Sequence, residues 1–300
     1  MPAYISHAIM GEQLYNQANR ESDILKIPIS KEQFRSFSLG ADLACLSKRV
    51  INDPHDFDTR TFFLSMVKYI KDNQLIENSG VMALLYGHIA HYFLDINTHP
   101  LIYYIECGCK RVGAFSNHDL VEGYLSFYLS EKILGKNISE INSDYFNQLN
   151  LSDMEICKIL NSVYGKVYGD FEIVKSYRKV LNAFSTLEAF IKSGLISQKT
   201  LIALSQFNDF LKKNHLTLSE LTNENHELFT NPVTGENHNE SFMDLYNISI
   251  EMALHAIIKV NGYLYDNASI LELEKVFSDL SYNTGVSCSL GKQMTCVRRK

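Results

Sequence analysis

The sequence of 300 residues predicts an all-α protein with a single multi-helix domain. Helical hydrophobic periods dominate the chain, strand-like alternation is scarce, and only 5 prolines interrupt it. Hydrophobic residues make up 46% of the chain and charged residues 21%, which is typical of a globular protein with a substantial core. Because no internal repeat or low-complexity tract divides the sequence, one domain over residues 1–300 is preferred to two.

The periodicity predicts a series of helices, most of them joined by short loops. In chain order they cover residues 7–18, 31–48, 59–72, 77–97, 117–133, 152–166, 171–194, 197–213, 241–262 and 268–279. Two helix starts carry a capping-box pattern, formed by Ser116 with Asp119 and by Ser241 with Asp244. Between residues 214 and 240 the composition changes to Asn, Glu, Thr and His around a Pro-containing turn, and we expect a mobile flap there.

Charge and hydropathy restrict the class of partner. The formal net charge of -6 argues against a broad basic surface, so no stable nucleic-acid partner is expected. The N-terminal residues lack a positive charge followed by an apolar run, and no segment approaches the ~18 apolar residues of a membrane span. We therefore expect a cytoplasmic protein without a transmembrane segment, of open oligomeric state. The 6 cysteines are scattered, and we expect reduced thiols that bind no metal.

One predicted helix carries too many metal-binding side chains for an ordinary core helix. Residues 87–100 set His91, Asp95 and His99 four positions apart, and at about 100° per residue the three side chains share one face. Burying imidazoles and a carboxylate is costly unless they are paired, hydrogen-bonded or bound to a cation. The spacing favours a metal site, whereas His88, in the same sector, fits a supporting or core role better.

Further candidate ligands occur in the first 130 residues. His118 and Glu122 have the i,i+4 spacing that directs two side chains to one point. His55 adjoins Asp56 in a loop rich in aspartate, and His7 lies near the N-terminus. Imidazole and carboxylate groups are good zinc ligands, and a catalytic zinc keeps one position open for water.

In their order and spacing, these residues resemble the zinc-dependent phospholipase C family, which is related to the single-strand-specific zinc nucleases. The resemblance extends over about residues 1–130. It is carried by His7, Asp42, His55, His91, Asp95, His99, His118 and Glu122. It implies an all-α domain around two or three zinc ions in a cleft, with the metal site within residues 1–130 and a helical extension over 150–300.

The resemblance also implies how the ligands are divided. One zinc ion would be held by Asp42, His55, His91 and Asp95, a second by His99, His118 and Glu122, and a third by Asp95 and His7. In secreted members of the family an N-terminal Trp completes the third site, and this chain contains no Trp. Asp42 would also orient or deprotonate the attacking water, as the catalytic residue.

The predicted function is that of a zinc-dependent phosphoric ester hydrolase, phospholipase C-like, whose multinuclear site activates water. Its substrate would be a phosphate ester such as a phospholipid. A first alternative is a His-Asp-type metal phosphohydrolase, which would need Asp56 as a ligand. Replacing Asp56 by Ala separates the two, since the leading hypothesis predicts little loss of metal. A second alternative is a non-catalytic metal-binding helical protein, whose ligands would leave no position open for water.

Overall fold

Helices α1 to α11 make up most of the structure, a computed structural model that describes residues 2–21, 24–113, 115–137, 140–141, 143–192 and 197–290. They are α1 (Pro2–Arg20), α2 (Lys31–Phe37), α3 (Thr59–Asp72), α4 (Ser79–Glu106), α5 (Asn117–Leu129), α6 (Met154–Tyr168), α7 (Ile173–Lys192), α8 (Ser197–Asn214), α9 (Leu218–Thr222), α10 (Phe242–Tyr265) and α11 (Ile270–Val276). The described residues contain one antiparallel hairpin, β1 (Phe229–Thr230) with β2 (Asn237–His238). The all-α prediction is confirmed.

Helix α4 is the centre of the fold. Helices α1, α2, α5 and α10 pack around it, and nearly all of its side chains are buried. A helix that is apolar on all sides is expected in such a position. Its buried polar side chains are His88, His91, Asp95, Thr98 and His99. The candidate ligands of this helix therefore lie inside the core, and neither α4 nor any other described helix combines the length and apolarity needed to span a membrane.

Helix α4 continues beyond its predicted end at residue 97. Pro100 lies inside it, although proline removes a backbone N–H and normally ends a helix. Beyond Pro100 the side chains of Leu101, Ile102 and Ile105 are buried, and their packing keeps the last turns helical. As a result His99 lies on the same helix as the other candidate ligands of α4.

The predicted helix over residues 31–48 is wrong as a continuous element. Helix α2 ends at Phe37, and a 3₁₀ segment, Gly40–Ala44, follows it. Gly40 has a φ of +46°, and a Cβ at this position would lie only 2.5 Å from Cγ of His91. A left-handed residue with no side chain is needed for this close approach, so the chain breaks here and turns Asp42 towards α4.

The other sequence predictions have mixed outcomes. Both capping boxes are present, at the starts of α5 and α10. The segment between residues 214 and 240 contains α9 and the hairpin, and its movement stays a prediction. The predicted helix at 268–279 is shorter, since α11 ends at Val276. Of the predicted helix at 171–194, positions 193 and 194 lie outside the described residues.

The cysteines differ in part from the prediction of reduced thiols. Cys45, Cys109, Cys157 and Cys288 are free thiols, as expected. Cys107 is disulfide-bonded, so the prediction is wrong for this residue. Spacing along the chain does not reveal which distant cysteines a fold brings within bonding distance. Cys296 lies outside the described residues.

Candidate metal centre

The predicted ligands converge on one cleft of about 330 Å³. Seven of the eight line it: His7, Asp42, His55, Asp95, His99, His118 and Glu122. His91, the eighth, is fully buried and contacts two of them. Its Nε2 lies 3.1 Å from Oδ2 of Asp95, and its ring stacks on that of His7 with centroids 4.0 Å apart. The fold therefore brings together residues from α1, α4, α5, the 3₁₀ segment and the loop before α3.

Three groups of donor atoms are close enough for each to surround one ion. Within each group the ligand atoms lie within 4.8 Å of one another. The groups are His7 with Asp42 and His91, His55 with His91 and Asp95, and His99 with His118 and Glu122. Zinc binds such atoms at about 2.0–2.2 Å, so separations of this size suit a shared ion. The third group is the predicted second ligand set, and the other two share His91.

Asp95 lies between two imidazoles. Its Oδ1 is 3.2 Å from Nε2 of His7, and its Oδ2 is 3.1 Å from Nε2 of His91. The carboxylate is almost completely buried and faces a histidine with each oxygen. A carboxylate in this position can bridge two cations.

Asp42 contacts both His55 and His7 in the cleft. Nε2 of His55 lies 3.1 Å from Oδ1 of Asp42, and Nε2 of His7 lies 3.9 Å from its Oδ2. The Asp42 side chain is 22% exposed, against 4% for Asp95. Asp42 is therefore the carboxylate of this pair that a molecule in the cleft can reach.

Four of the imidazoles are oriented in the same way. Each directs Nε2 towards the donor groups and has a protein oxygen near its Nδ1. The oxygens are Oδ1 of Asp53 for His55 (3.2 Å), the carbonyl of Ser38 for His91 (3.1 Å), the carbonyl of Tyr282 for His99 (2.6 Å) and Oε2 of Glu106 for His118 (3.4 Å). Because a carbonyl only accepts hydrogen bonds, Nδ1 of His91 and of His99 each carries a proton, which leaves Nε2 as the nitrogen that a cation could bind.

The charges of the cleft are strongly coupled. Burial lowers the pKa of His55, but its hydrogen bonds to Asp42 and Asp53 outweigh burial and raise it to about 10. Burial opposes charge on His118 as well, and its contacts with Glu106 and Glu122 raise the pKa to about 10. For His7 burial dominates and lowers the pKa to about 4. Without metal, protons on His55 and His118 thus balance the carboxylates, and a cation could take their place.

The pKa values of the two buried acids shift in the opposite direction. Burial would raise the pKa of Asp95, yet the neighbouring His91 and His7 hold it well below its usual value. Burial likewise opposes ionisation of Glu122, and its hydrogen bonds from His118 and His99 lower its pKa. Both groups are therefore carboxylates at neutral pH, which is the form that binds metal.

Two residues singled out in the sequence are engaged elsewhere. Oδ1 of Asp56 accepts a hydrogen bond from the Ser281 hydroxyl (2.6 Å), and its Oδ2 accepts one from the Asn283 amide (2.8 Å). This engagement argues against the alternative in which Asp56 is a ligand. The ring nitrogens of His88 contact the carbonyl of Leu84 (2.9 Å) and the hydroxyl of Tyr177 (3.2 Å). Neither partner is a predicted ligand, which fits the core role of the two that the sequence left open.

Sequence reasoning missed the groups that orient the imidazoles. Glu106 had a detectable signal, since it follows His99 by seven residues and therefore shares its helical face. The carbonyl of Tyr282 had none, because a backbone group 183 positions from His99 belongs to no local pattern. The carbonyl of Ser38 is equally invisible in the sequence.

One comparison with known proteins found a matching family. The sequence model of one family, described as zinc dependent phospholipase C, matches residues 6–215. The matched stretch covers more than two thirds of the chain and includes all eight predicted ligands. A search of curated proteins and a search of solved structures each found no match. The match over most of the chain shows that this protein belongs to the zinc-dependent phospholipase C family, a family of zinc-dependent hydrolases.

Proposed function

We propose that this protein hydrolyses phosphate esters at a site of two or three zinc ions. The observation that carries the proposal is the shared orientation of four imidazoles, those of His55, His91, His99 and His118. Each directs Nε2 inward, with an oxygen within 3.4 Å of Nδ1. Metal-binding histidines adopt this arrangement because the outer acceptor fixes the tautomer and the ring orientation.

The donor set fits zinc. It consists of imidazole nitrogens and carboxylate oxygens, which zinc binds well. Nε2 of His91 is buried and, among the described residues, makes no well-formed hydrogen bond, although Oδ2 of Asp95 lies 3.1 Å away. A buried nitrogen without a partner costs free energy, and coordination to a cation would satisfy it.

We assign the ligands to the ions as the family resemblance implies. In the proposal Asp42, His55, His91 and Asp95 hold one ion, and His99, His118 and Glu122 hold a second. A third would lie between Asp95 and His7, where the 3.2 Å separation supports a shared ion. Because the third ion has the fewest ligands among the described residues, we expect it to bind most weakly.

The acidity of the cleft determines what it can bind. Its lining includes the carboxylates of Asp42, Asp53, Asp95, Asp119 and Glu122. These groups alone would repel a phosphate ester, so substrate binding depends on the cations that they hold. Bound zinc would supply this positive charge and would also lower the pKa of water towards about 7.

Asp42 is the proposed catalytic residue. Burial would raise its pKa, but the hydrogen bond from His55 and the nearby imidazoles of His91 and His7 lower it, so the carboxylate is ionised. It is partly exposed to the cleft, which allows an oxygen to orient the attacking water and to accept its proton.

Metal analysis combined with hydrolysis assays tests the proposal. The purified protein is expected to contain zinc and to cleave simple phosphodiesters, phosphomonoesters or a short-chain phospholipid, and a chelator should abolish this activity. His91→Ala or Asp95→Ala should remove metal and activity together, because each contributes to more than one contact of the site. His255→Ala, at an exposed position of α10, is the matched control and should leave both nearly intact.

Two results would contradict the proposal. Bound zinc with no hydrolysis of any tested ester would favour the non-catalytic metal-binding protein. Retention of metal and activity in His91→Ala, with their loss in His255→Ala, would reject the site assignment.

A further inference from the structure

Residues 279–288, which we call the C-terminal brace, lie against the candidate metal centre although they follow α11 near the end of the described chain. Two hydrogen bonds close the brace on itself, from N of Ser281 to O of Val286 (2.8 Å) and from N of Gly285 to O of Ser281 (2.9 Å). Gly285 has a φ of +66°, and a Cβ there would lie 2.3 Å from the carbonyl oxygen of Ile96 in α4. The brace is thus a tight turn in direct contact with α4, and it lies beyond the stretch matched by the family model.

A single residue of the brace contacts candidate ligands from two different donor groups. The carbonyl of Tyr282 accepts the proton of Nδ1 of His99 at 2.6 Å. Its N–H donates to the carbonyl of His55 at 2.7 Å. Tyr282 is buried and its ring packs on that of His55, with centroids 5.4 Å apart. The position of this backbone therefore determines where Nε2 of His99 points.

Asp56 anchors the brace. One carboxylate oxygen accepts from the hydroxyl of Ser281 (2.6 Å) and the other from the side-chain amide of Asn283 (2.8 Å). These two residues flank Tyr282 on either side. Asp56 thus holds the peptide that orients His99 and belongs to none of the donor groups formed by the described residues.

Asn283 extends the network to the wall of the cleft. Its Oδ1 accepts a hydrogen bond from the hydroxyl of Tyr103 at 3.1 Å. The ring of Tyr103 lies against that of His118, with centroids 4.9 Å apart, and both residues line the cleft. The pair Asp56 and Asn283 therefore connects to two ligands of one proposed ion, to His99 through Tyr282 and to His118 through Tyr103.

We propose that Asp56 and Asn283 are positioning residues for the metal ion at His99, His118 and Glu122. The inference rests on the proposed function, because it requires zinc at this group. Outer contacts of this kind set ligand orientation, and their loss typically weakens metal binding about 10- to 100-fold. The effect should fall on affinity, whereas the number of ions bound at saturating zinc should not change.

Exchange of the two side chains tests this directly. Asn283→Asp places a carboxylate against a carboxylate and loses the central hydrogen bond. Asp56→Asn places an amide against an amide and keeps that bond only if the Asn283 amide reverses, which replaces its present contact with the Tyr103 hydroxyl. Each single variant therefore disturbs the network. The double variant restores it in reverse: the new amide at 56 donates to the new carboxylate at 283, which still accepts from Tyr103. Net charge and side-chain size are conserved in the double variant, which makes it a clean double-mutant cycle.

Zinc affinity is measured by competition with a chromophoric chelator, and the visible spectrum of the cobalt-substituted protein reports ligand geometry. Each single variant is expected to weaken the affected ion about 10-fold or more and to alter the cobalt spectrum. The double variant should return to within about threefold of the parent affinity. Asp72→Asn, an exposed carboxylate at the end of α3, is the charge-matched control for Asp56→Asn and should change neither readout.

The outcomes separate this inference from the proposed function. Single variants that bind zinc like the parent, or a double variant no better than either single, would overturn the positioning role. Loss of a whole ion from Asp56→Asn at saturating zinc would overturn it too, since Asp56 would then be a ligand. If a single variant does not fold, the affinity of the double variant alone decides. If the single and double variants show the expected zinc affinities but the protein cleaves no ester, only the proposed function is overturned.

Discussion

Replacing Gly40 by Ala should damage the metal centre more than the fold. The new Cβ would lie 2.5, 2.6 and 2.8 Å from three carbon atoms of His91, whereas carbon atoms in contact are normally about 3.5–4.0 Å apart. The imidazole must therefore move by about 1 Å. The left-handed backbone costs an alanine about 1 kcal/mol, and overpacking adds about 1–3 kcal/mol. We expect a total loss of stability of about 2–4 kcal/mol.

Gly135→Ala is the matched control. Gly135 also has a positive φ, +63°, but no atom lies within 4 Å of an added Cβ. It should lose only the backbone cost of about 1 kcal/mol and bind zinc normally. Urea unfolding of the metal-free proteins measures stability, and chelator competition measures zinc affinity, which should fall at least about 10-fold in Gly40→Ala alone. Equal stability and equal zinc affinity in the two variants would show that a Cβ at position 40 does not displace His91.

Two other predictions concern protons and helix starts. Since the pKa values of His55 and His118 are about 10 in the metal-free protein, both are protonated at pH 7, and zinc binding should release at least about two protons. Calorimetry in buffers of different ionisation enthalpy measures this number, and a release near zero would contradict it. Ser116→Ala and Ser241→Ala each remove a capping box and should cost about 1 kcal/mol in thermal unfolding. Only Ser116→Ala should also weaken zinc binding, because α5 carries His118 in its first turn; equal effects on zinc would count against this.

Local spacing accounts for what could be predicted of the site. His91, Asp95 and His99 share one helix, as do His118 and Glu122, so helical geometry alone places each set on one face. The same periodicity predicted the all-α class and most helix positions. The predictions failed where a distant contact overrides local preference, as at Gly40, whose position against His91 breaks the predicted helix.

The groups that orient the ligands cannot be recognised from local spacing. The orienting contacts of His91 and His99 are backbone carbonyls, and any residue type can supply a carbonyl. Asp56 and Ser281 are 225 positions apart, and only the completed fold brings them together. Composition and spacing therefore identify which side chains can bind metal, whereas the tertiary structure fixes the orientation of those side chains.

The burial of α4 explains why its imidazoles need these orienting hydrogen bonds. A ligand on an exposed loop can adjust to its ion, but the imidazoles of His91 and His99 are enclosed by packed helices and cannot rotate freely. Their ring orientation must be correct before the ion arrives, and the carbonyls of Ser38 and Tyr282 establish it. Zinc would therefore enter a site that is already formed, and the fold bears the cost of organising it.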